Sequence, residues 1–254
     1  MNTMNNPPQE DTFVSHLIEL RSRVMKSLLM VLVAFLALTP WMSDIYGLLA
    51  GPLQSIYPGK INMIATGPVA PFFVSLKATG AVAVVLSFPV IIYQMWAFVA
   101  PGLYSYEKRL VLPLVLSTYI LFLVGIAFAY FLVVPNVFRF MLNFTPEGVM
   151  AMPDMDSYLT FLFTVFFAFG LAFEVPVVVI VLVKMGVLTV DQLTESRPYV
   201  VVGAFVVAAI ITPPDIVSQI MLAVPMCILY EVGIWFSRRI EPKTNDHPGT
   251  PSAN

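Results

Sequence analysis

One acid stands alone in the longest apolar run of this sequence. Between Asp156 and Lys184 the only charged residue is Glu174, in the string FGLAFEVPVVV at 169–179. An ionised carboxylate at membrane depth costs at least about 2.5 to 3.5 kcal/mol on insertion scales, so such a residue is expected to face a partner or a cavity. Pro176 follows two positions later. It lacks an N–H and leaves the Ala172 carbonyl without its usual helical partner, which opens or bends the helix at the same depth. The plainer alternative is a protonated Glu174 bonded to a neighbouring helix. Ser87, Gln94, Thr118 and Gln219 read as ordinary interhelical polar contacts.

Two further acids could bind a cation. In the stretch DTFVSHLIELRSRVMK at 11–26, Phe13, Val14, Leu17, Ile18, Leu20 and Val24 share one helical face, and Ser15, His16, Glu19, Ser22, Arg23 and Lys26 share the other. This predicts an amphipathic helix lying on the membrane surface ahead of the first span. Arg21 breaks the pattern on the apolar face, where it needs a partner or a snorkelling path. Glu19 can form an i,i+4 pair with Arg23, worth a few tenths of a kcal/mol, or it can bind a ligand. Glu107 has the same ambiguity. It follows the break at Pro101 and Gly102, in or near a first helical turn, where the helix dipole favours a carboxylate whatever the protein does.

Searches for catalytic chemistry are empty. The two histidines are His16, on the surface stretch, and His247, in the polar tail, and no HExxH, GxSxG, P-loop or GxGxxG string occurs. Asp215 lies at a helix end beside Pro213 and Pro214, which gives no membrane aspartyl pair. Cys227 is the single cysteine, so neither an intrachain disulfide nor a cysteine metal cluster can form. The expectation is therefore a protein that is not an enzyme and needs no metal or cofactor.

The elements that must position these groups are membrane helices. Of 254 residues, 59% are hydrophobic and only 11% charged, outside the balance of soluble domains. Apolar residues arrive in long blocks, at about 24–41, 78–100, 110–134, 158–183, 199–211 and 216–236. We read an all-α integral membrane protein with six transmembrane helices in a single domain over 1–237, followed by a largely disordered tail at 238–254. The fifth block reaches only about 20 Å, and the sixth has few uncharged residues before Glu231. The last two helices are thus expected to be short, and to thin the bilayer, borrow flanking residues or form a re-entrant hairpin. Glu231 is expected to reach the interface.

Ten of the 13 basic residues lie at the N-terminus, in 101–110, in 184–198 and at the C-terminus; Lys60, Lys77 and Arg139 lie on the opposite side. The positive-inside rule then places both termini in the cytoplasm. The first nine residues lack the basic region and cleavage site of a secretory signal, so the first span is expected to remain uncleaved.

Four strings, SHLIELRSR at 15–23, FVAPGLYSYEKR at 98–109, FGLAFEVPVVV at 169–179 and RPYVVVGAFVVAAIITPPD at 197–215, together resemble the TatC family, the polytopic receptor subunit of the twin-arginine protein translocase. They occur in order across nearly the whole transmembrane region. The resemblance implies a cupped bundle of six tilted helices in the bacterial cytoplasmic membrane, with a cytoplasmic rim that recognises signal peptides of folded precursors. Glu19 and Glu107 would read the paired arginines, with Arg21, Phe98, Pro101 and Tyr104 on the same rim. Glu174 would face the concave cavity, and Pro52 would serve structurally in the first periplasmic loop. Thr212 and Gln219, on the short last helices, would offer a groove to the single-span partners TatA and TatB in an oligomeric complex, with lipid around it and no nucleic acid. The proton-motive force would supply the energy. One departure is TGPVAPFF at 66–73, where the family often carries an acid and this chain has Ala70 and Pro71. Chemistry fits the two acids independently, because a carboxylate takes a guanidinium in a fork that lysine cannot reproduce. The competing class is a proton-coupled secondary transporter built on Glu174.

Overall fold

The computed structural model describes residues 9–56, 63–99, 111–143, 145–146, 152–211 and 216–240. Among them the chain is helical: α1 (Gln9–Leu38), a 3₁₀ turn (Thr39–Trp41), α2 (Met42–Ile56), α3 (Ala70–Val99), α4 (Val111–Phe128), a π segment (Ala129–Val133), α5 (Val134–Leu142), α6 (Met155–Lys184), α7 (Val190–Glu195), α8 (Arg197–Ile211) and α9 (Ile216–Ile240). Among the described residues extended backbone pairs only at an isolated bridge, where Met155 N–H donates to the Ile64 carbonyl at 3.0 Å.

Among the described residues five stretches are long and apolar enough to cross a membrane: Val14–Ile56, Ala70–Phe98, Val115–Leu142, Met155–Lys184 and Ile216–Arg239. The fifth expected span, α8, is apolar but has 15 residues, about 22 Å against a hydrocarbon core of about 30 Å.

Four sequence expectations need correction. The amphipathic stretch is no separate surface helix, since α1 runs unbroken for 30 residues from Gln9 to Leu38. Neither Gly nor Pro interrupts it, so nothing stops the helix before the apolar part. The last helix is not short either: α9 has 25 residues and continues through Arg238 and Arg239, which were assigned to the tail. It can do so because Glu231 forms an ion pair with Arg197 on α8, at 2.7 Å, and is not left bare. Pro52 lies inside α2 rather than in a loop, and the third span extends past 134 through α5. That extension passes Pro135, whose ring lacks a donor, and the helix widens ahead of it to an i→i+5 pattern, with Val134 N–H on the Ala129 carbonyl.

Helices pack through glycine. A Cβ on Gly125 of α4 would lie 2.6 Å from the Phe169 carbonyl oxygen of α6, so the two backbones touch. Gly170 of α6 likewise receives the Phe122 ring, which stacks at 3.7 Å on Phe88 of α3. Gly233 brings α9 against the Pro176 turn of α6. The main core joins α2, α3, the π segment and α6 through Leu53, Val74, Val133 and Leu162, and α9 adds Leu222. A smaller cluster joins the end of α6 to α7 and α9 through Val183, Leu193 and Ile234.

Helix ends are closed by specific groups. The Asp154 carboxylate caps α6 by accepting the Ser157 N–H at 3.0 Å; that bond, with help from the Ser157 hydroxyl and Thr66, holds its carboxyl below the usual range. At the other end Gly186 takes φ +69°, the left-handed turn that lets Val187 N–H reach the Leu182 carbonyl.

Candidate functional site

Polar groups of the sequence expectation fall in two places. At the first, α1 and α3 run antiparallel, with His16 against Phe98 edge to face at 6.4 Å and Arg23 against Gln94. The i,i+4 spacing on an unbroken α1 brings Arg23 to Glu19: Nε donates to Oε1 at 2.9 Å and Nη2 to the same oxygen at 2.6 Å. Nη1 donates across to Gln94 Oε1 at 3.3 Å. A half-buried carboxylate thus already holds a guanidinium, and an amide from a second helix steadies it. Arg21, on the same helix, is exposed. Pro101, Tyr104, Glu107 and Thr212 lie outside the described residues.

The second place is inside the bundle. Glu174 is 8% exposed, on the face of α6 that meets α4, where Thr118 adjoins it. The hydroxyl and the carboxyl do not reach hydrogen-bond geometry, and Thr118 Oγ1 and Glu174 Oε1 have no partner among the described residues. Phe122 meets Gly170 one turn further along, so Glu174 is one helical turn from the Phe88, Phe122 and Gly170 layer. Ser87, next to Phe88, is also fully buried. Ser87, Thr118 and Glu174, on α3, α4 and α6, therefore interrupt an apolar interior.

Two further expected residues have structural partners. Gln219 Nε2 donates to the Phe205 carbonyl at 3.0 Å and ties α8 to α9. Pro52 removes the N–H that would bond the Leu48 carbonyl four residues back, and the Tyr130 hydroxyl donates to that carbonyl at 2.7 Å instead. Gly51 makes room, since a Cβ there would sit 2.8 Å from the Tyr130 oxygen. Tyr158, fully buried, donates to the next carbonyl, Leu49, at 2.9 Å. Tyr130→Phe is expected to cost about 1 kcal/mol, read as a lower thermal unfolding midpoint of the detergent-solubilised protein. In a Pro52→Ala background, where the helix supplies its own donor, the same change should cost measurably less.

Sequence reasoning missed the ion pair of Arg197 with Glu231, with Nη2 donating to Oε2 at 2.8 Å, and the stacking of Arg239 on Trp235 at 3.8 Å. The signal was present only as two basic residues one turn beyond a tryptophan. No cluster of potential metal ligands occurs among the described residues.

Long apolar helices, a buried carboxylate and ion-paired side chains define a multi-pass helical membrane protein. Residues 15–225 match the family described as Sec-independent protein translocase protein (TatC), and the chain belongs to that family. It is 48% identical over 247 residues to the TatC protein of Azotobacter chroococcum, covering 96% of this chain and 97% of that one. The Escherichia coli K12 TatC is 49% identical over 231 residues, 90% of each chain. A crystal structure of a twin arginine translocase receptor, TatC, superposes with a TM-score of 0.78 at 38% identity, covering 89% of this chain and 99% of that one. The chain is thus a non-enzymatic subunit of the Sec-independent protein translocase, and the secondary-transporter alternative is not favoured.

Proposed function

We propose that this chain is the receptor core of the translocase, binding twin-arginine signal peptides of folded precursors at the rim that carries Glu19 and Glu107. Arg21, Phe98, Pro101 and Tyr104 belong to the same surface, which faces the cytoplasm of the bacterial inner membrane with both chain termini. The observation that carries this reading is that Glu19 already accepts two charge-assisted hydrogen bonds from a guanidinium, that of Arg23. A carboxylate arranged for one guanidinium is suited to another, and lysine lacks the fork.

Glu174 serves a later step from inside the bundle, and Gln219 and Thr212 contact the single-span partners TatA and TatB. Transport is driven by the proton-motive force. Pro52, with Tyr130, keeps the α2 end in shape.

Copurification of the chain with a twin-arginine precursor tests the reading directly. The Arg-Arg form is expected to be retained at least about tenfold better than the Lys-Lys form, the ratio expected when a charge-assisted fork is lost. Equal retention of the two forms would count against it.

A further inference from the structure

A groove of the described structure lies away from Glu19 and from Glu174. Arg197, Val201, Cys227, Ile228, Glu231 and Trp235 line it, and its volume is about 520 Å³. That is within the range of about 300 to 1,000 Å³ typical of small-molecule sites. It starts at the end of α9 that carries Arg238 and Arg239 and follows that helix from Trp235 back to Cys227, a depth of about 12 Å. Its walls change character along that path. The inner part is aliphatic, formed by Val201 and Ile228. The outer part is aromatic and cationic.

Arg197 lines the groove, and Arg239 reaches it through Trp235, a lining residue on whose ring its guanidinium lies. Arg197 donates Nη2 to Glu231 Oε2 at 2.8 Å, with Nε in ion-pair contact with Oε1 at 2.7 Å, which cancels that carboxylate's charge and leaves Nη1 without a partner among the described residues. Arg239 stacks its guanidinium on Trp235, and no acid among the described residues pairs with it. Asp191 and Glu195, the acids of nearby α7, do not line the groove. With Arg238 also at this end of α9, the opening carries a positive surplus above an apolar channel.

We infer that this groove is a binding site for one anionic phospholipid, its headgroup phosphate between Arg197 and Arg239 and an acyl chain lying along Val201 and Ile228. Basic pockets between membrane helices take anionic headgroups in this way, and each arginine near the surface contributes about tenfold or somewhat less in affinity. The aromatic ring of Trp235 suits the boundary between headgroup and acyl chain. The lipid fills the space between α8 and α9 on the outer side of the Arg197–Glu231 pair. This site is independent of the signal-peptide reading.

The chain contains its own probe, because Cys227 is its only cysteine and lines the groove. Full-length protein is placed in nanodiscs of phosphatidylcholine with or without phosphatidylglycerol, and alkylation of Cys227 by a membrane-permeant maleimide is timed. Phosphatidylglycerol is expected to slow alkylation about tenfold. Arg239→Gln is expected to remove most of that protection, and Arg197→Gln combined with Glu231→Gln to weaken it further without leaving a bare carboxylate. Native mass spectrometry of the unmodified protein supplies a readout that needs no variant, with phosphatidylglycerol retained in preference to phosphatidylcholine. Equal alkylation rates in the two lipids, equal protection in the Arg239 variant, or equal retention of the two lipids would each overturn the assignment. Protection that appears only when a single-span partner is added would assign the groove to a protein helix and overturn it as well.

Discussion

Glu19→Ala should reduce crosslinking of a twin-arginine signal peptide to this chain by about tenfold to a hundredfold. A hydrogen bond to a charged group is worth about 1.5 to 3 kcal/mol, and the Glu19 carboxylate is the acceptor in a charge-assisted pair. Glu107→Ala should act in the same direction, and the double variant should leave no specific crosslink. Folding should survive, because the Glu19–Arg23 pair is half exposed and adds little to stability, while α1 remains anchored by its apolar length. Retained membrane insertion together with lost crosslinking is the expected pattern. Unchanged crosslinking in both single variants would remove the acids from the proposed site.

Gly125→Val should be among the most damaging single changes away from any ligand. A Cβ at Gly125 would meet the Phe169 oxygen at 2.6 Å and the Gly170 Cα at 3.1 Å. Those are backbone atoms, which cannot turn aside, so α4 and α6 must separate. Overpacking of this kind costs about 1 to 3 kcal/mol, and the effect should grow from Ala to Val. The same two helices carry Thr118 and Glu174, hence separation also disturbs the buried polar layer. Thermal unfolding in detergent measures the loss. A Gly125→Val protein with an unchanged midpoint would show that the helices do not pack through this contact.

The spans were readable because each is a local property: a run of uncharged residues long enough for a membrane reports itself without reference to any other helix. The Glu19–Arg23 pair was readable for the same reason, since four residues make one turn. Its third member, Gln94, was not, because it comes from a helix 71 positions away. Counting charges misjudged α9, as Glu231 shortened its uncharged run, whereas an ion pair with Arg197 lets the helix carry that residue along. Pro52 was misplaced for a related reason: a proline suggests a break, and only the Tyr130 hydroxyl on the Leu48 carbonyl shows why the helix tolerates it.

By itself the sequence determined the solvent of this protein, its helical class, the isolation of Glu174 in an apolar run and, through four strings, its family. Tertiary structure alone decided which groups meet: Thr118 beside Glu174, Arg197 with Glu231, Arg239 on Trp235, and the glycines that let backbones touch. The reason is physical. In a membrane bundle both the buried and the lipid-facing sides of a helix are apolar, so no periodicity records its rotation or its register against its neighbours. Those two quantities set every side-chain encounter between helices, and they are fixed by packing.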